Sequence, residues 1–186
     1  SALRLAIAAL KDHEGWQDGA DVLVPAVTFV ATSNVLLQQG LKPVFVDVHP
    51  LYYNIDPSQI ERSITPLTRA IMVVHLFGQP ADMDPILKLA QKYNLRIIED
   101  SCETMFARYK GKSVGSFGDV SCFSTYACHV ICTGVGGFAL TKDEEIGILL
   151  RSLANHGRDS IYMSIDDDKT DDPDKFRVSG RGELHL

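Results

Sequence analysis

No stretch of this chain is both long and apolar enough to cross a bilayer, and no cluster of lysines and arginines stands ready for a phosphate backbone. The longest apolar run, near residues 22–31, is about half of the roughly 20 residues a spanning helix needs, and Pro25 interrupts it. No membrane partner is therefore expected. Lysine and arginine number 18 against 24 aspartates and glutamates, a net charge of −6, which argues against a nucleic-acid footprint. One or two local arginines would still suffice for the diphosphate of a nucleotide. Cysteine is scarce: Cys102, Cys122, Cys128 and Cys132 cluster mid-chain. No second cysteine or histidine pair stands elsewhere to complete a zinc site with Cys128, His129 and Cys132, so no metal is expected. Buried, reduced thiols of a cytoplasmic protein are the expectation instead. The chain opens on Ser1 and runs at once into a helical pattern, so the expectation is no cleavable signal peptide and a missing start. No glycine fingerprint follows the first strand, which sets a dinucleotide-binding dehydrogenase aside.

What is present is ordinary for one well-buried domain: 186 residues, 45% hydrophobic and 23% charged. Leu3, Ile7 and Leu10 recur near a 3.6 period, predicting a helix over 2–12, with a turn at Asp18-Gly19. A strand over 21–24 follows, ended by Pro25, then a helix over 28–39 stopped by Gly40. Strands are predicted over 43–48, 69–75 and 95–99. A short helix capped by Asp56 or Ser58 and one over 81–93 fall between them. Uniformly apolar strands alternating with helices indicate an α/β fold: a mostly parallel sheet with helices on both faces. In such sheets ligands sit beyond the carboxyl ends of the strands, which places Asp100 at the site by topology alone. Beyond Asp100 the pattern predicts a hairpin over 107–114 with a glycine turn, strands over 119–125 and 138–141, and a helix over 143–155.

Residues 166–186 differ. Asp166-Asp167-Asp168 and Asp171-Asp172-Pro173-Asp174 form an acidic run, read as a solvated linker and atypical tail after a domain over 1–165. Arg177 to Leu186 is similar to a segment of translational GTPases of the TypA/BipA type. The seventeen residues from Thr170 to Leu186 cannot form the domain that segment belongs to, so no GTPase function follows; a fusion or a misassembled reading frame is the favoured origin.

The chemistry concentrates between Leu95 and Gly137: Glu99-Asp100 ending a strand, Ser124-Thr125-Tyr126-Ala127-Cys128-His129, and Thr133-Gly134-Val135-Gly136-Gly137. These motifs resemble the cofactor core of the DegT/DnrJ/EryC1/StrS sugar aminotransferases. The resemblance runs over about residues 1–165. It implies part of the large domain of the aspartate-aminotransferase fold, pyridoxal or pyridoxamine 5′-phosphate as cofactor, a nucleotide-sugar substrate and a homodimer in the intact protein. The family carries at position 129 a lysine that bonds covalently to the cofactor. Histidine cannot form that bond, and similar histidine-bearing relatives remove the C3 hydroxyl of 4-keto-6-deoxy nucleotide sugars.

The resemblance assigns roles residue by residue. Asp100 would keep the pyridine nitrogen protonated, without which the ring is no electron sink. Phe29 would stack on the ring face, although a lone Phe after a strand is by itself usually core. Ser124 matches the phosphate-binding serine, while the family's Ser-Gly-Thr half of that site would fall before Ser1. Glu103 stands where the family has a glutamine near the ring hydroxyl. His129, which in isolation reads as a core histidine, would shuttle protons, since an imidazole takes and returns one near neutral pH. Gly134 to Gly137 precedes a strand and reads as flexible backbone, not a dinucleotide motif. Arg158 would meet phosphate or substrate, or simply complement a helix C-terminus. Two rivals follow: a sugar aminotransferase without the covalent lysine, and an inactive cofactor-binding regulatory or scaffold protein.

Overall fold

The computed structural model describes residues 2–157. The chain enters on α1 (Ala2–Glu14) and then alternates: β1 (Asp21–Pro25), α2 (Val30–Gln38), β2 (Lys42–Val46), α3 (Pro57–Ile60), β3 (Thr68–Val74), α4 (Met83–Tyr93) and β4 (Arg96–Asp100). A two-stranded hairpin of β5 (Arg108–Tyr109) and β6 (Lys112–Ser113) follows. Then come β7 (Val120–Ser124), β8 (Gly137–Thr141) and α5 (Glu144–Ala154). The main sheet has the order β2-β1-β3-β4-β7-β8; the first five strands are parallel, and β8 returns antiparallel to β7. Strand order reverses between β1 and β3, the switch point outside which α/β folds gather their ligands.

The apolar strands are continuous in sequence because both their faces are covered. Val22, Val24, Ala70, Met72, Ile98, Val120 and Cys122 pack on one side against Leu3, Ile7 and Leu10 of α1, Val35 and Leu36 of α2, and Ile146 of α5. The alternate residues Leu23, Ile71, Val73 and Ile97 pack on the other side against Ile60 of α3 and Met83, Ile86 and Ala90 of α4. Each fully buried Leu, Ile or Met contributes roughly 1.5–3 kcal/mol from area removed from water. The same period of two sends Glu99 to the α4 side and Asp100 to the α2 side. The edges differ from the expectation of uniform cover: β2 and β8 are largely exposed, with Phe45 and Leu140 open to solvent. Lys42 stands on the β2 edge, a charge of the kind that discourages pairing with another chain.

Local chemistry explains most element ends. Asp143 caps α5 by accepting from the backbone N–H of Glu145 (2.9 Å) and Ile146 (3.0 Å). Asp56 accepts from Ser58 N at the start of α3, and Asn94 takes the left-handed conformation that closes α4. Lys110 and Gly111 both have positive φ, the geometry a two-residue hairpin turn requires. Three expectations shift. The second helix starts at Val30, not residue 28, because Phe29 is extended. Strand β2 stops at Val46, and Val48 forms an isolated bridge with Ile55. Cys128 and Cys132 are exposed, not buried, because the chain leaves the sheet after Ser124; Cys122 is buried and Cys102 partly so. Among the described residues no helix is long and apolar enough to cross a membrane. The acidic run, the tail from Arg177 and Arg158 lie outside the described residues.

Candidate active site at the carboxyl ends of the strands

Asp100 is the last residue of β4, where the strand order turns ligands toward it, and it is buried. Its Oδ2 accepts from the Thr32 hydroxyl of α2 at 3.0 Å, and its Oδ1 accepts from the backbone N–H of Cys102 at 3.3 Å. No cation pairs with it among the described residues. A buried carboxylate without a counter-ion is costly unless something positive completes it. Burial, followed by the neighbouring Asp100 charge, pushes the thiols of Cys102 and Cys122 far up, so both stay protonated.

One residue earlier, Glu99 is fully buried on the opposite face and thoroughly satisfied. Its Oε1 accepts from the backbone N–H of Phe117 (2.7 Å) and Gly118 (2.6 Å). Its Oε2 accepts from Gly115 N (2.7 Å) and faces His75 Nε2 at 3.0 Å. The backbone N–H of Ala81 donates to His75 Nδ1 at 3.0 Å, so Nε2 carries the ring proton and donates it to Glu99. Burial alone would raise the Glu99 pKa, but the hydrogen bonds from His75, Gly118 and Gly115 outweigh it and hold the carboxyl below its ordinary range. Next to this pair, the Thr104 hydroxyl donates to the His75 carbonyl. Glu103 accepts the backbone N–H of Phe77 at 3.0 Å and so supports a non-glycine residue in the left-handed region (φ 54°).

Phe29, the N-cap residue of α2, is 70% exposed at the end of β1, and Phe77 and Phe106, each 74% exposed, share its openness. The last residue of β7, Ser124, is half-buried and accepts from the backbone N–H of Tyr126 at 3.2 Å. Asp100 registers with Cys122 across β4 and β7, so Ser124 stands two residues further along the neighbouring strand. His129 follows in the loop between β7 and β8, half-buried, with its ring edge-on to Tyr126 (centroids 6.4 Å apart) and its backbone N–H donating to the Tyr126 carbonyl. The loop is closed behind it by Thr125 and Thr133, whose hydroxyls lie 2.7 Å apart while Thr133 N donates to Thr125 O.

Phe29, Asp100, Glu103, Ser124 and His129 therefore all lie at or beyond the carboxyl ends of the parallel strands. Thr32 joins Asp100 to the helix that carries Phe29. No hydrogen bond joins His129 to Asp100 or Ser124 among the described residues. Sequence reasoning missed Thr32 and the His75–Glu99 pair; the signal for Thr32 was its place three and four residues before Val35 and Leu36, on the buried face of α2. A protonated pyridine nitrogen would supply the positive partner that Asp100 lacks among the described residues, and Phe29 offers an uncovered aromatic face. The residues present thus fit a pyridoxal-type cofactor.

Residues 1–169 match the model of the DegT/DnrJ/EryC1/StrS aminotransferase family. The chain is 43% identical over 159 residues to GDP-perosamine synthase of Caulobacter vibrioides, covering 86% of this chain and 42% of that protein. Among solved structures it is similar to DesV of S. venezuelae (TM-score 0.80, 39% identity, 87% of this chain and 43% of that one). It is also similar to the E. coli GDP-4-keto-6-deoxy-D-mannose-3-dehydratase with bound hydrated PLP (TM-score 0.80, 37% identity, 84% and 41%). The chain spans about two fifths of the length of the relatives it matches.

Proposed function

The chain belongs to the DegT/DnrJ/EryC1/StrS aminotransferase family, and on that premise we propose that it is the cofactor-gripping part of a vitamin-B6-dependent enzyme. Its substrate is a nucleotide sugar and its reaction the C3 dehydration of a 4-keto-6-deoxy sugar. The observation that carries this reading is a buried carboxylate, Asp100, at the end of one strand, which no cation among the described residues pairs, with an imidazole instead of an amine in the loop leaving the next.

When bound in its amine form, the cofactor supplies an electron sink through its protonated ring. Asp100 would accept the ring N–H, Phe29 would pack on the ring face, and the Ser124 hydroxyl would donate to the phosphate. Glu103, held through one oxygen by Phe77 N–H, offers the other to the ring hydroxyl. His129 would serve as the proton carrier, taking a proton at C4′ of the bound cofactor and returning it to the leaving C3 hydroxyl, which would depart as water. With no amine at position 129, nothing on that side chain competes with the substrate for the cofactor. The exposed aromatic side chains of Phe29, Phe77 and Phe106 support a homodimer in the intact protein. Residues 1–165 would form part of the transferase large domain, in a cytoplasmic enzyme.

The test is to incubate the intact protein with pyridoxamine 5′-phosphate and a nucleotide 4-keto-6-deoxy sugar and to follow the product by mass. Loss of the C3 hydroxyl supports the reading, and full activity in a His129→Asn variant defeats it. A stable 4-amino sugar would favour a second reading, an aminotransferase that works without the covalent lysine, which the family match itself supports. Borohydride reduction should leave no covalent adduct at position 129 under either reading.

A further inference from the structure

Thr32 lies fully buried on α2, 68 residues before Asp100 in sequence. A threonine hydroxyl inside a helix ordinarily turns back to the carbonyl three or four residues earlier. This one instead reaches 3.0 Å to Asp100 Oδ2, while the Thr28 hydroxyl lies 2.8 Å from it. An ionised carboxylate only accepts hydrogen bonds, so the single Thr32 proton goes to Asp100 and the Thr28 hydroxyl donates to Thr32. The chain of donors runs one way, from Thr28 through Thr32 to the carboxylate. Thr32 is the one hydroxyl among the described residues that donates to Asp100, which also receives the Cys102 thiol. Its backbone N–H donates at the same time to the Phe29 carbonyl at 3.0 Å. One residue therefore ties the proposed edge partner of the pyridine ring to the backbone of the proposed face partner.

We propose that Thr32 is a positioning residue that orients the Asp100 carboxylate and fixes it relative to Phe29, so that a bound pyridoxamine ring is gripped at edge and face in one relation. This rests on the roles given above to Asp100 and Phe29. A hydrogen bond to a charged group is worth roughly a ten- to hundredfold change in an equilibrium constant. Valine has the volume of threonine without the hydroxyl, so Thr32→Val removes the bond and leaves the packing.

The experiment titrates the intact protein and its variants with pyridoxamine 5′-phosphate by fluorescence, and records the ¹⁵N shift of ring-labelled cofactor when bound. Thr32→Val should bind roughly ten- to a hundredfold more weakly and move the ring nitrogen toward the unprotonated shift, whereas Thr32→Ser, which keeps the hydroxyl, should restore both. Wild-type affinity and a wild-type ¹⁵N shift in Thr32→Val would overturn the proposal. Should Thr32→Val fail to fold by circular dichroism, Thr28→Ala decides. It removes only the second donor and is expected to weaken binding by about threefold; unchanged affinity would overturn the proposal. Asp100→Asn separates the two readings. If it binds the cofactor as tightly as wild type, the cofactor site itself is misplaced; if it loses affinity while Thr32→Val does not, the role of Thr32 alone falls.

Discussion

The end of β4 and the loop after β7 sit side by side in the sheet, yet they are built in opposite ways. At the end of β4, Glu99 is held by four donors and Asp100 by two, all from groups ordered by the fold. In the loop, His129 keeps a half-exposed ring edge-on to Tyr126, and two threonines close the segment behind it. A charge that must stay fixed against a ligand gains from burial and several partners, because a low-dielectric setting strengthens each hydrogen bond. A group that must take and release protons gains from the reverse, since a ring locked by strong partners gives its proton up less readily. On the roles proposed above, the fixed charge and the mobile proton would thus belong to two neighbouring strands.

The comparison breaks most readily at Glu99. Glu99→Gln places an amide N–H₂ among backbone donors and removes the charge opposite His75, and about 3–5 kcal/mol of stability should be lost in urea unfolding. A loss below about 1 kcal/mol would show that the strand end is not held as described. His129→Asn should do the converse. Turnover should fall by about 100-fold or more, while unfolding shifts by no more than about 0.5 kcal/mol. A large stability change there would mean the loop histidine is structural.

Acid sharpens the contrast further. Glu99 has a depressed pKa in the folded state, so its contribution is present above the unfolded value of about 4.3 and is lost as pH falls through the folded one. Stability measured between pH 6 and pH 3 should drop with a slope that becomes shallower in Glu99→Gln. Glu14 supplies part of the remaining slope: against the upward push of burial, Arg96 and His13 hold its pKa down. An identical slope in the variant would remove Glu99 from the account. The smallest effect is expected at the loop closure. Thr125→Val forfeits the hydroxyl pair with Thr133 for about 1 kcal/mol, and hydrogen exchange should speed up at the Thr133 amide while the Gly118 amide stays protected.

Some of this site could be read before any coordinates. Asp100 follows an apolar strand in an alternating pattern, and the carboxyl-end rule then locates it without a contact being known. Ser124 and His129 keep a fixed spacing on one short segment, so their neighbourhood travels with the sequence. Glu103 was legible as a position but not as a partner of Phe77, because that contact depends on a turn 26 residues away. The exposure of Cys128 and Cys132 was misjudged for a related reason: apolar neighbours such as Val130 and Ile131 suggest burial, but they ride on a loop outside the sheet.

By itself the order of residues determined the strand and helix alternation, the parallel sheet covered on two faces, and the presence of an imidazole at position 129. Period, capping residues and turn chemistry act over a few residues and are written along the chain. Only the tertiary structure decided that Thr32 donates to Asp100, that His75 donates to Glu99, and that β2 and β8 stand at the two edges of the sheet. Those pairings join residues up to 68 positions apart. They exist because the sheet packs helices from distant parts of the chain against the same strand ends, where a buried polar group must find whichever partner the packing brings.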